Sequence, residues 1–291
     1  MKIMNRSLLR SFFTAIACVI ISASLSTPLF AWGGLGHKLV ARLAFEQMTP
    51  KARSEATKIL KGASLESVST WADLIKRDRP ETASFHFVNF ISQNPSLSDN
   101  QDVTNSKNVV SGIYLNKSIL QNESASLDEK KEALCFLIHF VGDIHQPLHC
   151  APDGNSGGND IKVKFFNDET NLHKVWDSEL IKATNVSEDD YFQALKNDTK
   201  NFDQSKLSGE NCMGWAIESN KIAVMNAYSI PSDNVLEERY YEQNIKIVNR
   251  QLVIAGIRLA QMLNQIFEIY KDHGTDCVSL PVMNQCLSSV E

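Results

Sequence analysis

Apolar residues recur at helical spacing along most of this chain. In 107–121, Val109, Val110, Ile113, Leu115, Ile119 and Leu120 fall on one face, the signature of an amphipathic helix. Residues 127–144 repeat the pattern behind Ser126, with Glu129 three positions on, a capping box. The stretch 50–61 opens on Pro50, whose fixed φ suits a first helical turn. The same reading predicts helices over 36–48, 65–77, 172–182, 187–199 and 212–228, and a long one over 236–270. Only 85–91 and 161–166 read as extended. No repeat and no linker-like stretch divides the chain, so the expected fold is mainly α, a single compact multi-helix domain with little β structure.

The first 31 residues follow another grammar. Lys2, Arg6 and Arg10 precede an apolar run from Phe12 to Leu25, and Pro28 leads to Ala31. This order predicts a secretory signal peptide over 1–31, because the run falls short of the roughly 20 residues of a membrane span. The mature domain is then 32–291, exported to the periplasm or secreted. Without Lys2, Arg6 and Arg10 its net charge is −8 rather than the −5 of the full chain. A chain this acidic is a poor candidate for gripping nucleic acid with a broad basic face, so any polyanion it handles should meet positive charge from something other than Lys and Arg. The composition, 43% hydrophobic and 22% charged, excludes collagen-like and disordered classes.

Five cysteines follow the leader: Cys135, Cys150, Cys212, Cys277 and Cys286. Export permits disulfides, and Cys277 with Cys286 brackets a short loop that is the preferred pair. No CxxC motif points to a cysteine-held metal.

The seven histidines carry the chemistry. His139 and Asp143 stand four apart on a predicted helix, and His173 and Asp177 repeat that spacing on another, so each pair shares a face. His149 follows Pro147, which ends the earlier helix and can turn a further imidazole back toward the group. Asp73 interrupts the apolar run Trp71-Ala72-Asp73-Leu74-Ile75, and His86 lies in Phe85-His86-Phe87. One such pair alone is more often a surface ion pair. Together they point to a hydrolase with several metal ions, since neutral imidazole and carboxylate are the ligands of catalytic zinc. No nucleophile elbow, P-loop or dinucleotide fingerprint competes. Residues 153–160, with Gly154, Gly157 and Gly158, lack EF-hand spacing and read as a loop at the rim of the site.

The motifs resemble, in order, those of the zinc-dependent single-strand-specific nucleases of the fungal and plant type. They are Trp32-Gly33-Gly34-Leu35-Gly36-His37, Trp71-Ala72-Asp73, Phe85-His86-Phe87, the block from His139 to His149, Gly157-Gly158-Asn159, and Asn171 to Asp177. The resemblance implies three zinc ions in a cleft. Asp73, His86, His139 and Asp143 would hold the first, and His149, His173 and Asp177 the second. The third would be held by Trp32, through its free α-amine and carbonyl, with His37 and a shared Asp143. His145 would then pack or support, and His273 is left without a role.

The resemblance further implies hydrolysis of single-stranded DNA and RNA by a hydroxide between two zinc ions, oriented by Asp73, leaving 5′-phosphates. Removal of phosphate from 3′-mononucleotides would accompany it. Three dications would supply the positive charge that the chain itself lacks. Phe87 matches the family's base-stacking position, and Lys76 and Asn159 match phosphate-binding ones. Asn89 stands where some members have Asp for the base, which unsettles any inherited base preference. A monomer with no stable protein partner is expected. Two rival readings are a zinc-dependent phospholipase C, whose mature chain also begins at Trp, and an exported zinc-binding protein without catalysis.

Overall fold

The computed structural model describes residues 32–91, 95, 106–207 and 211–269. The leader, His273 and the Cys277–Cys286 pair lie outside the described residues. Helices α1 (Gly34–Gln47) and α2 (Pro50–Ile59) follow from the sequence pattern, and Thr49 caps α2 by accepting from Ala52 N. The helix expected over 65–77 is instead two short ones, α3 (Leu65–Val68) and α4 (Trp71–Ile75). Thr70 takes φ −102° and ψ 2° between them. That break turns the Ser69 carbonyl toward His139.

The extended stretch expected over 85–91 begins as a 3-10 turn, Pro80–His86, with Pro80 in its first position. Only from Phe87 does the backbone extend. There Val88 N donates to His149 O at 2.8 Å and Phe90 N to Ala151 O at 3.1 Å, so this strand-like piece pairs with a loop rather than a sheet. Next come α5 (Val109–Gln121) and α6 (Leu127–Asp143), which pack on each other and both begin with complete capping boxes.

The expected strand is β1 (Lys162–Phe165). It pairs antiparallel with β2 (Asp168–Asn171) and parallel with β3 (Val235–Leu236). Neither neighbour was expected: Asp168-Glu169-Thr170-Asn171 has no apolar alternation, and two residues show no period. Helix α7 covers 172–182, its middle wound as a π turn at Val175–Glu179. It is followed by α8 (Glu188–Asp198) and by α9 over 212–227, which also ends in a π turn, Ala223–Ala227. The last helix, α10 (Glu238–Ile269), starts two residues later than expected because Val235–Leu236 is engaged by β1.

Helix α10 runs through the middle of the domain, with α1, α2, α6 and α7 packed on it. The core they enclose includes Trp32, Phe140, Trp176 and Phe267, each side chain contributing roughly 1.5–3 kcal/mol by leaving water. Every residue of α6 from Ala133 to Asp143 is buried. His139 and Asp143 are therefore carried into the interior, where polar groups without partners are costly. Among the described residues no helix is long and apolar enough to cross a membrane.

Candidate metal centre

Asp143, at the end of α6, is the hub of the buried polar groups. Its carboxylate lies 3.0 Å from His86 Nδ1, 3.4 Å from His37 Nε2, 3.4 Å from His139 Nε2 and 3.7 Å from His149 Nδ1. Asp73, from α4, faces His139 Nε2 at 3.5 Å and His86 Nδ1 at 3.7 Å. The π turn of α7 brings Asp177 Oδ2 to 3.2 Å from His173 Nε2, with His149 Nε2 4.0 Å from Oδ1. Three sets of ligand-type atoms converge: His37, His139 and Asp143; Asp73, His86 and His139; and His149, His173 and Asp177. The structure thus brings together all eight side-chain ligands named from the sequence. Trp32 adjoins them, its indole donating to Gly142 O at 2.9 Å while Gly33 N donates to Asp177 O at 2.7 Å.

The second ring nitrogens show how the imidazoles are oriented. His139 Nδ1 bonds Ser69 O, His149 Nδ1 bonds His86 O and His173 Nδ1 bonds Gly157 O, at 2.6, 2.7 and 2.7 Å. A backbone carbonyl on Nδ1 fixes the tautomer with its proton there and leaves Nε2 as a lone-pair donor, as in metal-ligating histidines. Nε2 of His86, His139 and His149, both nitrogens of His37, and Asp143 Oδ1 are buried without a well-formed hydrogen bond. Orphaned atoms of this number at one place are what a cation would satisfy. Imidazole with carboxylate is zinc's preferred donor set, so the residues fit the ion.

Charge is distributed accordingly. Burial lowers the pKa of His37, His86 and His149, keeping them neutral and ready to ligate. Burial also opposes charge on His139, but Asp143 and Asp73 override it and push this imidazole up to about 9. Burial would raise the Asp143 carboxyl, yet His139, His37 and His86 hold it well below the ordinary range. Zinc added at pH 7 to chelator-stripped protein is therefore expected to displace a proton from His139. Its affinity should fall as pH drops from about 9. Calorimetric titration in two buffers of different ionisation enthalpy checks this, and a heat independent of buffer would contradict it.

Comparison with known proteins bears on the same residues. Residues 32–268 match the S1/P1 nuclease family. The chain belongs to this family. It is 31% identical to Endonuclease 4 of Arabidopsis thaliana over 92% of this chain and 98% of that one. It is 29% identical to Nuclease P1 of Penicillium citrinum, over 81% and 97%, and 28% identical to Nuclease S1 of Aspergillus oryzae, over 84% and 94%. Membership makes the chain a phosphodiester-cleaving enzyme and sets aside the reading as a non-catalytic zinc-binding protein.

In this S1/P1 nuclease His86, His149 and His173 reach a cleft of about 380 Å³ whose walls include Lys76, Phe87, Asn89 and Asn159. All four residues named from the sequence for substrate contact thus border one cavity. Phe87 is 41% exposed, and Lys76 Nζ lies 2.6 Å from Asp73 Oδ1. The 153–160 loop forms the rim and does more than expected, because Gly157 supplies the carbonyl for His173. Gly157 has φ +60°, and a Cβ there would sit 2.5 Å from Leu148 O. Gly142 is equally constrained, since a Cβ would meet His37 Nδ1 at 2.7 Å.

His145, expected to pack or support, is buried: its Nδ1 bonds Val141 O and its Nε2 meets Arg258 Nη1 at 3.0 Å. Burial, with the charge of Arg258 beside it, presses its pKa down to about 3. Gln251 donates to His145 O, Ser219 to Ile144 O and Asn220 to Cys150 O. The ligand-bearing turn is thereby tied to α9 and α10. Cys135, Cys150 and Cys212 are buried free thiols and take no part among the ligands.

Proposed function

We propose that the mature chain 32–291 is an exported zinc-dependent endonuclease of single-stranded DNA and RNA that leaves 5′-phosphate ends and also removes phosphate from 3′-mononucleotides. The observation that carries this reading is the convergence of eight His and Asp side chains beneath a cleft that also presents Phe87, Asn89, Lys76 and Asn159. The family match beginning at Trp32 supports removal of residues 1–31. We assign Asp73, His86, His139 and Asp143 to one ion, His149, His173 and Asp177 to a second, and the Trp32 terminus, His37 and Asp143 to a third. Bound zinc would neutralise phosphate charge and acidify water toward pKa ~7.

The chain's own groups do the rest. Burial would raise the Asp73 carboxyl, but His139 and Lys76 keep it below its ordinary value, so it stays ionised and can accept a hydrogen bond from the attacking water, fixing its direction. Lys76 and Asn159 hold phosphate oxygens at the cleft edge. The half-exposed Phe87 ring offers a stacking face that only an unpaired, splayed base can reach, which gives single strands their advantage. Asn89, whose amide carries both a donating NH2 and an accepting carbonyl, reads either kind of base edge and so weakens base preference.

The test is digestion of single-stranded DNA beside a duplex of the same sequence, with and without chelator, using protein that starts at Trp32. Faster, chelator-sensitive release of 5′-phosphate products from the single strand is expected. Cleavage of phosphatidylcholine with no attack on either nucleic acid would replace this reading with the phospholipase one.

A further inference from the structure

Gln146 is a wholly buried polar side chain that neither the ligand set nor the cleft accounts for. It touches three parts of the centre at once. Its N–H donates to Asp143 O at 2.9 Å, and its carbonyl accepts from His149 N at 3.0 Å. Its side-chain Oε1 accepts from Leu148 N at 2.6 Å, while Nε2 donates to Asp177 Oδ1 at 2.5 Å. The amide's orientation is forced from both ends. Leu148 N–H can only donate and the Asp177 carboxylate only accepts, so no other neutral side chain of this length satisfies both.

We infer that Gln146 is a positioning residue for the ion held by His149, His173 and Asp177, an inference that rests on the zinc reading above. By occupying Asp177 Oδ1, its amide leaves Oδ2, the oxygen 3.2 Å from His173 Nε2, to face the ion. The same side chain caps the 3-10 turn Pro147–Cys150 that carries His149. One amide therefore sets the spacing between ligands 28 positions apart in sequence, His149 and Asp177. Outer hydrogen-bond partners of this kind typically change metal affinity ten- to a hundredfold when lost.

Gln146→Glu separates the two roles. It keeps an acceptor for Leu148 N but replaces the donor to Asp177 with a second carboxylate. Zinc affinity, read at pH 8 by competition with a chromophoric chelator, is expected to fall about ten- to a hundredfold for one ion. The other two ions and the far-UV circular dichroism should stay as in the parent. Parent-like affinity for all three ions in Gln146→Glu, beside a loss in Gln146→Met, would make the residue a cap alone and overturn the inference.

Should Gln146→Glu fail to fold, Gln146→Met is combined with Asp177→Asn. Losses smaller in the double variant than the sum of the singles support action through Asp177, and additive losses refute it. A parent protein that bound no zinc would instead sink the metal centre itself, before any question about Gln146.

Discussion

Asp143→Asn is expected to give a folded protein that binds zinc more than about a hundredfold more weakly and cuts nucleic acid below detection. The amide preserves shape but removes the charge that sits within 3.0–3.7 Å of four imidazoles. Residues that merely touch a ligand cost ten- to a hundredfold in affinity, and a carboxylate facing His86, His139 and His37 at once should exceed that. The substitution also withdraws the principal charge that raises His139, so the pKa of that imidazole should fall. Metal content and circular dichroism of the purified variant check the expectation. Normal zinc content with normal cleavage would remove Asp143 from the centre.

A preparation carrying even one residue ahead of Trp32 is expected to lack the ion nearest His37 and to retain little activity. A free α-amine has a pKa of ~7.7–8.0 and yields its proton to zinc readily, whereas an amide nitrogen is no such ligand. Trp32 cannot shift to compensate. Its ring is buried, its indole is bonded to Gly142 O, Gly33 N is bonded to Asp177 O, and a Cβ on Gly36 would come within 2.8 Å of Trp32 Cβ. Two preparations, verified by mass and differing only in that extension, would be compared for zinc content and rate. Equal values in both would refute the role assigned to the terminus.

Two of the converging pairs, His139 with Asp143 and His173 with Asp177, were legible because residues four apart on α6 and α7 must share a face, whereas His37 was named only through the family resemblance. The Nδ1 partners were not legible. Ser69 and Gly157 contribute backbone carbonyls, which every residue possesses, and only a tertiary break at Thr70 or a left-handed Gly157 singles one out. Gln146 stood inside the clearest motif, yet nothing in local spacing shows that its amide reaches Asp177. The misread elements have similar causes. Aromatic Phe85 and Phe87 suggested a strand through His86, but Pro80 had already set a 3-10 turn. The polar β2 owes its existence to pairing with β1, which no local propensity announces.

The bonds from Ser219, Asn220, Gln251 and Arg258 to the turn at 144–150 set how this enzyme can come apart. In many folds the segment bearing an active site opens at small free-energy cost while the scaffold persists. Here that turn is locked to α9 and to the central helix α10, so it has no private route to opening. The turn and the core are therefore expected to open as one cooperative unit, with hydrogen exchange showing the turn's amides protected as strongly as those of α10.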